Sequence, residues 1–421
     1  MALTRATLSK SFYRLRRLSR KLWIRSALIA LLAVVAALTA RPLAFLIPDP
    51  MAAGLTEGAV AEIVRIIASS MLAVTIFSLS IMVAARQAAS SQVTPRTHQL
   101  LIEDTTTQTV LATFLGAFIF SLVSLIVLDT GYFSGKAAVV ILFFTLLVIG
   151  LVVIAILRWI DHLSELGSVI ETTRKVEHVA RDALRQRVEW PCLGARALTE
   201  GMLEIPVRAM RLHAWSTGYI QHIDMASLSE AVRASHGQVF LLAAPGKFVT
   251  EGQPLLYHTG DLPEKAVRSA FTISDSRVFD QDPRFGVIVL TEIAQRALSP
   301  GINDPGTAID VISRLQRVLL GFRDEAEAKN QIDPHYPSIW MPPVTARTLL
   351  RDSFEPIARD AADTVEVQIR LQKALAALAE GSDATMAEAA RDSSARALEM
   401  ALPHLPLDAH RARLEALAVG R

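Results

Sequence analysis

The sequence contains a single cysteine, Cys192, and carries almost no net charge. One cysteine cannot form an intrachain disulfide, and it disfavours a cysteine-based metal site. Lysine and arginine total 43 while aspartate and glutamate total 41, so the formal net charge is +2. Because no excess of positive charge surrounds the chain, we expect no nucleic acid among its partners.

Charged residues are also missing from long parts of the N-terminal half. Four apolar runs are about long enough to cross roughly 30 Å of hydrocarbon as helices, namely residues 22–47, 66–85, 106–128 and 137–157. The last three contain no Asp, Glu, Lys, Arg or His. Over the whole chain, hydrophobic residues form 51%, charged residues form 20% and the mean hydropathy is +0.35. This composition predicts a protein with one part in the lipid bilayer and another part in water.

The run at residues 22–47 is the least regular of the four. Arg41 and Pro42 interrupt it, and its basic start resembles a secretory signal. Leu38 occupies a position where cleavage requires a small residue, so we interpret the run as an uncleaved span. Residues 1–25 hold eight Lys or Arg and no acid, which places the N-terminus in the cytoplasm. Four spans then predict a multi-pass protein of the bacterial inner membrane with both termini cytoplasmic.

Small and hydroxyl-bearing residues recur at helical spacing on two of these runs. Such a face lets neighbouring helices approach closely, and in a ring of subunits it could instead line a pore. Proton- and ion-coupled transporters usually hold carboxylates or histidines in the membrane, so their absence here disfavours a coupled pump. The residues of this predicted pore or helix-packing face are Ser69, Ala73, Ser80, Ala84, Gln87, Thr113, Ala117 and Ser121.

The fold class that we predict is an α-helical membrane domain of four transmembrane helices followed by an α+β cytoplasmic domain. The cytoplasmic domain would contain a small β half-barrel-like unit and a helical bundle. The predicted boundaries are a basic N-terminus at 1–21, the membrane domain at 22–160, an amphipathic connecting helix at 161–190, the β-rich unit at 191–262 and a mainly helical domain at 263–421. Within the last domain, residues 332–343 are predicted to form a loop, and helices are predicted at 344–379 with a break near Pro356, at 384–402 and at 407–419.

The predicted β-rich unit contains no clear motif for catalysis, cofactor attachment or metal binding. Residues 246–258 (GKFVTEGQPLLYH) indicate a hairpin similar to those of biotinyl and lipoyl half-barrels, without a lysine in the context of a carrier. Residues 244–247 lack the spacing of a phosphate loop. Dispersed histidines could converge on a metal, but solvated or hydrogen-bonded side chains explain them better. The histidines concerned are His213, His222, His236 and His258, with Asp224 near the second. We therefore predict no catalytic residues, no metal site and no cofactor.

The segment SPGINDP at residues 299–305 separates two predicted helices, at 284–298 and 305–321. Pro300 ends the first helix and Gly301 is expected to adopt a positive φ. Asp304 is expected to cap the second helix, with Pro305 at its first position. A tight corner, an interdomain or partner contact, and a ligand or cation site all remain open. The candidate contact residues are Asp282, Ser299, Asn303, Asp304, Thr307 and Asp310.

Four motifs in this chain resemble a bacterial family of predicted four-span membrane proteins, domain of unknown function 2254. They are SPGINDPGTA at 299–308, QDPRFG at 281–286, SSQVTPR at 90–96 and TGYIQHID at 217–224. The resemblance covers roughly residues 22–322 and implies a topology but no activity. The sequence departs from the family pattern at Gly306, where a larger residue is expected.

Two functions fit these patterns. The first is an oligomeric, channel-like permeation module with a cytoplasmic regulatory domain. The second is a membrane-anchored scaffold or sensor whose cytoplasmic domain binds a small ligand or a protein. An enzyme is the least supported class, and Asp282, Asn303, Asp304 and Asp310 would be its best catalytic candidates. The expected partners are the lipid bilayer, further copies of the chain and an unidentified small ligand or protein.

Overall fold

The computed structural model describes residues 57–92, 94–97, 105–129, 135–165, 168–199, 205–328 and 333–419, together with Ala27, Leu31 and Val35. These residues belong to two compact units, one within Arg14–Glu171 and the other within Thr172–Arg421. The first unit is helical. The second contains two β-sheets and a set of helices, so the chain combines a membrane-type unit with an α+β unit.

Three helices form the described part of the first unit: α1 at Glu57–Gln92, α2 at Thr105–Asp129 and α3 at Gly135–Glu165. Each contains a stretch that is long and apolar enough to span a membrane, at Gly58–Ala85, Thr106–Ile126 and Val139–Leu163. Three of the four predicted spans are thereby confirmed as candidate spans. The fourth, at residues 22–47, lies outside the described residues except for three helical positions, Ala27, Leu31 and Val35.

The three membrane helices pack around α2, which is the most buried of them. Their main apolar cluster joins Met71 of α1, Phe114 of α2 and Val152 of α3. Near one end of the unit, the buried His162 ring of α3 lies 3.0 Å from the hydroxyl of Thr107 on α2. The cluster packs α1 and α3 against α2, and the His162–Thr107 contact links α3 to α2 a second time.

The predicted connecting helix at 161–190 is wrong in one respect, because it does not continue the last span. Helix α3 ends at Glu165, Ser168 is not helical, and α4 begins at Val169 and ends at Glu189. Helix α4 is amphipathic, with Val176, Ala180 and Leu184 buried at four-residue spacing. This buried stripe holds α4 on its own unit, and packing outweighs the continuous helical pattern of the sequence.

Eight strands form two sheets in the described part of the second unit. The five-stranded sheet has the order β1-β8-β4-β6-β2 and the three-stranded sheet has the order β5-β3-β7. The strands are β1 at Ala195–Ala197, β2 at Met210–His213, β3 at Gly218–Ile223, β4 at Val239–Leu241, β5 at Phe248–Val249, β6 at Pro254–His258, β7 at Phe271–Ser274 and β8 at Tyr336–Met341. Strands β5 and β6 flank one turn but pair in different sheets, so the hairpin predicted at 246–258 does not form.

Strand β8 contradicts the predicted loop at 332–343. It lies between β1 and β4 and runs parallel to both. A loop was predicted because Pro337 cannot donate a ladder hydrogen bond. The pairing of β8 with β1 skips this residue: Ala195 lies opposite Tyr336, and the next residue, Arg196, lies opposite Trp340. This irregularity leaves Pro337 without a ladder partner, so its missing N–H has no cost there. The sheets therefore draw strands from beyond residue 262, from β7 and β8.

Helices cover the sheets and form the rest of the second unit. Besides α4 they are α5 at Met225–Ala234, α6 at Glu264–Ala270, α7 at Pro283–Leu298, α8 at Pro305–Leu319, α9 at Glu325–Ala328, α10 at Ala346–Asp360, α11 at Val365–Gly381, α12 at Ala384–Ala401 and α13 at Asp408–Glu415. The break predicted near Pro356 occurs after Asp360 instead. Pro356 is tolerated inside α10 because Leu349, Phe354 and Ile357 bury that helix against its neighbours.

Candidate functional site

The six predicted contact residues do not form one site. Asp282 precedes the first residue of α7, whereas Ser299 and the residues after it follow the last residue of the same helix. A helix of this length, 16 residues, extends about 24 Å at 1.5 Å per residue. The structure therefore separates the QDPRFG motif from the SPGINDP corner.

The corner caps α8 as the sequence predicts. Asp304 Oδ1 accepts a hydrogen bond from Thr307 N at 3.0 Å, and Asp304 Oδ2 accepts one from the Thr307 hydroxyl at 2.6 Å. Pro305 occupies the first helical position. The two bonds from Thr307 hold the pKa of Asp304 below its usual value. Asp304 is thus an ionised N-cap whose two oxygens are already engaged.

The expected positive φ at Gly301 is wrong, because Asn303 adopts the left-handed conformation instead, with φ of 49°. Asn303 N donates to Ser299 O at 2.8 Å, and Asp304 N donates to Ala297 O at 2.7 Å. These bonds satisfy carbonyls at the end of α7, and the left-handed residue lies two positions later than the predicted glycine. Asparagine tolerates this conformation better than most residues, which explains its place in the motif.

The corner projects into solvent and does not resemble a cation cage. Asp310, its other carboxylate, accepts from Arg314 Nε at 2.6 Å. No group of three metal-ligating side chains occurs in the described ranges. Ile302 at the tip is 43% exposed. The geometry therefore favours a corner or a contact surface over an ion site.

The QDPRFG motif, by contrast, lies at a junction of buried segments. The Gln281 side chain accepts from Ile223 N at 2.9 Å and donates to Ile223 O at 3.2 Å, which fixes it to β3. Asp282 caps α7 through Phe285 N and pairs with Arg277 at 2.6 Å. Burial raises the pKa of Asp282, and the neighbouring Arg277 opposes that rise.

The glycine in residues 244–247, the segment that superficially resembles a phosphate loop, is required by a close contact. Its φ is +89°, and a Cβ at this position would overlap the Asp282 carboxylate. Gly246 N also donates to Ile220 O of β3 at 2.8 Å. The turn at 244–247 is therefore in close contact with the start of α7, where the Asp282 carboxylate lies directly against Gly246.

The last three residues of the motif reach two other helices. Arg284 Nε donates to Asp352 of α10 at 2.7 Å. The fully buried Phe285 ring packs on Phe279, with centroids 4.4 Å apart. Gly286 faces α4 so closely that a Cβ would lie 2.6 Å from Ala180 Cβ. We conclude that QDPRFG joins α4, α10 and β3 at one end of α7.

A buried ion pair that sequence reasoning missed lies in the same unit. Arg187 Nε of α4 lies 2.7 Å from Glu325 Oε1, and Arg187 Nη2 donates to Glu325 Oε2 at 2.8 Å. The side chains are 2% and 0% exposed. Glu325 also accepts from Cys192 N at 3.0 Å and from Val344 N at 2.6 Å. Burial lowers the pKa of Arg187, but the surrounding groups, Glu325 first among them, together raise it above its usual value, so the guanidinium is charged.

The turn next to this pair is strained. Cys192 and Leu193 both have positive φ, at 48° and 55°. Side chains with a Cβ rarely adopt this conformation, and the bond from Cys192 N to Glu325 helps to hold it. Burial and the Glu325 charge raise the pKa of the Cys192 thiol. The thiol is therefore protonated at neutral pH and is a structural group.

Helix α4 also has a buried carboxylate, Glu177, that binds three arginines. Glu177 accepts from Arg314 at 2.7 Å, from Arg317 at 2.9 and 3.0 Å, and from Arg181 at 2.6 Å. Burial raises the pKa of Glu177, but hydrogen bonds from Arg317 and Arg314 outweigh burial and lower it. Glu177 thus fixes α4 to α8, as Arg187 fixes it to α9.

The four histidines do not meet at a metal. His213 and His258 line one pocket, His222 lies buried on β3, and His236 follows α5 with φ of 50°. The part of the chain that the structure describes holds no group of three potential metal ligands. Convergence of the first two was not detectable from sequence, since 45 positions separate them in the printed chain.

The predicted membrane stripe divides between two environments. On α1 the five residues of the stripe are exposed, and on α2 Ala117 and Ser121 are buried while Thr113 is half-buried. The small residues of α1 and those of α2 therefore do not lie together on one exposed surface. The residues exposed on α1 are Ser69, Ala73, Ser80, Ala84 and Gln87.

Comparisons with known proteins give a family without a described activity. The family model described as "Predicted membrane protein (DUF2254)" matches residues 19–377. Two uncharacterized proteins, one of Mycobacterium bovis and one of Mycobacterium tuberculosis, are each 28% identical over 277 residues, 62% of this chain and 52% of theirs. The chain spans about half the length of these curated relatives. No solved structure matches.

Proposed function

The chain belongs to the DUF2254 family of predicted membrane proteins, and we propose that it is an oligomeric, channel-like permeation module of the bacterial inner membrane. In this proposal residues 22–47 add a fourth span to the three candidate spans. The N-terminus, with its eight Lys and Arg, and the C-terminal α+β unit are then both cytoplasmic. The α+β unit is the regulatory part.

The observation that carries the proposal is the outward stripe of α1. From Ser69 to Gln87 the stripe covers 18 residue steps, which is about 27 Å along a helix. That length is close to the roughly 30 Å thickness of the hydrocarbon layer. Apart from Ile76, this face is small or polar over much of the candidate span Gly58–Ala85, and such a face suits an interface between copies better than contact with lipid alone.

A second copy is the occupant that we propose for this stripe. Small side chains let two helices approach until their backbones touch, and a helix and its symmetry-related copy present the same small face to each other. The stripe carries no charge, so water or small solutes could pass along it without a coupled proton or ion. Because Ala117 and Ser121 are buried, α1 alone would form the lining.

A scaffold or sensor is the second candidate, and one observation favours it. The hydroxyls of Ser69 and Ser80 donate to carbonyls of their own helix, Ile66 O at 3.1 Å and Ile76 O at 3.0 Å. Hydroxyls satisfied in this way are compatible with a dry interface between helices. In this alternative, the spans only hold and assemble the cytoplasmic unit.

A flux experiment separates the two candidates. The full chain is reconstituted into liposomes, and entry of glycerol, potassium and chloride is compared with entry into empty liposomes. We expect faster entry of at least one probe, and we expect Ser80→Leu to reduce that entry about tenfold, because the larger side chain narrows the lining. Leu147→Phe on α3, at a side chain that is 51% exposed, is the matched control.

Two results would contradict the permeation proposal. If no probe enters at any pH, voltage or membrane tension, the permeation proposal is wrong and the scaffold takes its place. If Leu147→Phe reduces flux as much as Ser80→Leu, the lining does not lie on α1.

A further inference from the structure

The five-stranded sheet has a polar pocket at one of its edges. The pocket has a volume of about 490 Å³, within the range of about 300–1,000 Å³ that small-molecule sites occupy. It lies between the edge strand β2, the turn that joins β5 to β6, the end of β6 and helix α6. Its polar lining consists of Arg211, His213, Glu251, His258, Glu264 and Arg268.

The two arginines of the pocket differ in how their charge is compensated. Arg268 donates to Glu264 Oε1 from Nε at 2.9 Å and from Nη2 at 2.6 Å, so its charge is balanced within α6. Arg211 lies 5.6 Å from the centroid of the Tyr257 ring. No carboxylate among the described residues pairs with Arg211 at ion-pair distance. Arg211 therefore presents an uncompensated positive charge at the pocket.

His258 borders the pocket but does not face a ligand. The residue is only 7% exposed, and it lies opposite Met210 in the ladder whereas Arg211 lies opposite Tyr257, so the two side chains are on opposite faces of the sheet. Its Nδ1 is buried. His213, which also lines the pocket, lies two residues from Arg211 on β2.

We propose that this pocket binds a small organic anion that carries a phosphate or carboxylate group. The planar guanidinium of Arg211 binds the oxyanion, and the imidazole of His213, two residues further along β2, donates a further hydrogen bond to it. Glu251 lines the same pocket and limits the negative charge that a ligand can bring. The ligand is therefore a compact molecule with a single anionic group rather than a polyanion such as nucleic acid.

Calorimetric titration of the full chain in detergent tests the site. Inorganic phosphate and acetate are the two probes, each at constant ionic strength, and they distinguish a phosphate from a carboxylate site. We expect one of the two to bind, and we expect Arg211→Gln to raise its Kd at least about tenfold, since a charge-assisted hydrogen bond is lost. If Arg211→Gln does not fold, His213→Gln, at an exposed position, replaces it with the same expectation.

The opposite edge of the same sheet supplies a matched control. Arg196 of β1 lies 5.6 Å from the centroid of the Trp340 ring, so it has the same aromatic contact as Arg211 but is not part of the pocket. Arg196→Gln is expected to leave the Kd within about twofold of the wild-type value, because its guanidinium does not reach the ligand. Binding of neither probe, or equal loss in the Arg196 and Arg211 variants, overturns the proposal.

Discussion

Replacing Glu325 by glutamine is expected to lower the melting temperature of the full chain by about 6 to 20 °C. Removing one partner of a buried ion pair costs about 3–5 kcal/mol, and each kcal/mol lowers the melting temperature by about 2–4 °C in units of this size. Both oxygens of Glu325 accept backbone N–H groups, from Cys192 and Val344. In either orientation, the NH₂ group of a glutamine would face one of these two N–H donors and could not accept its hydrogen bond. The substitution also leaves Arg187 charged and buried without a carboxylate.

Glu189→Gln on α4 is the control for this prediction. Glu189 pairs with Arg185 at 3.0 Å, but the two side chains are 35% and 78% exposed. Exposed pairs contribute about 0–1 kcal/mol, so the melting temperature should fall by less than about 4 °C. Thermal melting followed by circular dichroism measures both variants. Equal shifts for Glu325→Gln and Glu189→Gln would mean that the Arg187–Glu325 pair is not buried in the protein.

The second large effect is expected for Gly286→Ala. An alanine Cβ at this position would lie 2.6 Å from Ala180 Cβ and 2.7 Å from Ala180 Cα, so α4 and α7 must separate. Alanine favours a helix over glycine by about 1 kcal/mol, but overpacking of a buried contact costs about 1–3 kcal/mol and sometimes more. Because backbone atoms of both helices meet here, we expect the upper end of that range and a net loss of about 2 kcal/mol.

Two further variants make this second test specific. Gly321→Ala meets no atom within 4 Å, so it should leave the melting temperature nearly unchanged. Adding Ala180→Gly to Gly286→Ala removes one of the two shortest contacts and should restore part of the lost stability. A Gly286→Ala protein that melts at or above the wild-type temperature would contradict the close contact of α4 with α7.

Both predictions concern the attachment of α4, the helix that follows the last candidate span in the chain. Arg187 fixes its C-terminal end to Glu325, Gly286 contacts its middle at Ala180, and Glu177 binds arginines of α8. The QDPRFG motif therefore has an architectural role, and it joins α4 to the sheets and to α10.

Local chemistry made part of this structure predictable. The N-cap at Asp304, Pro305 at the first helical position and the two helices around the corner follow from residues within a few positions of each other. The three apolar spans are equally local, because length and absence of charge define them. The positive φ was predicted at Gly301 but occurs at Asn303, because two hydrogen bonds at the end of α7 require the left-handed conformation there.

Contacts between distant residues were not predictable. Arg187 and Glu325 are 138 positions apart, and neither lies in a recognisable motif. Strand β8 contains a proline and was assigned to a loop, because only its two parallel neighbours make it a strand. The membrane stripes show the same limit. Helical spacing gave the face of α1 and α2 on which small residues lie, but packing alone decided that one face is exposed and the other buried.

Disulfide crosslinking at Ser80 tests the central claim, that copies of the chain meet through the stripe of α1. The sole native cysteine, Cys192, is buried, so a new cysteine reacts against a low background. Oxidation of membranes that contain Ser80→Cys should give crosslinked dimers, while Leu147→Cys, on the exposed face of α3, should remain monomeric. A monomeric Ser80→Cys protein, or equal crosslinking at both positions, would contradict the account.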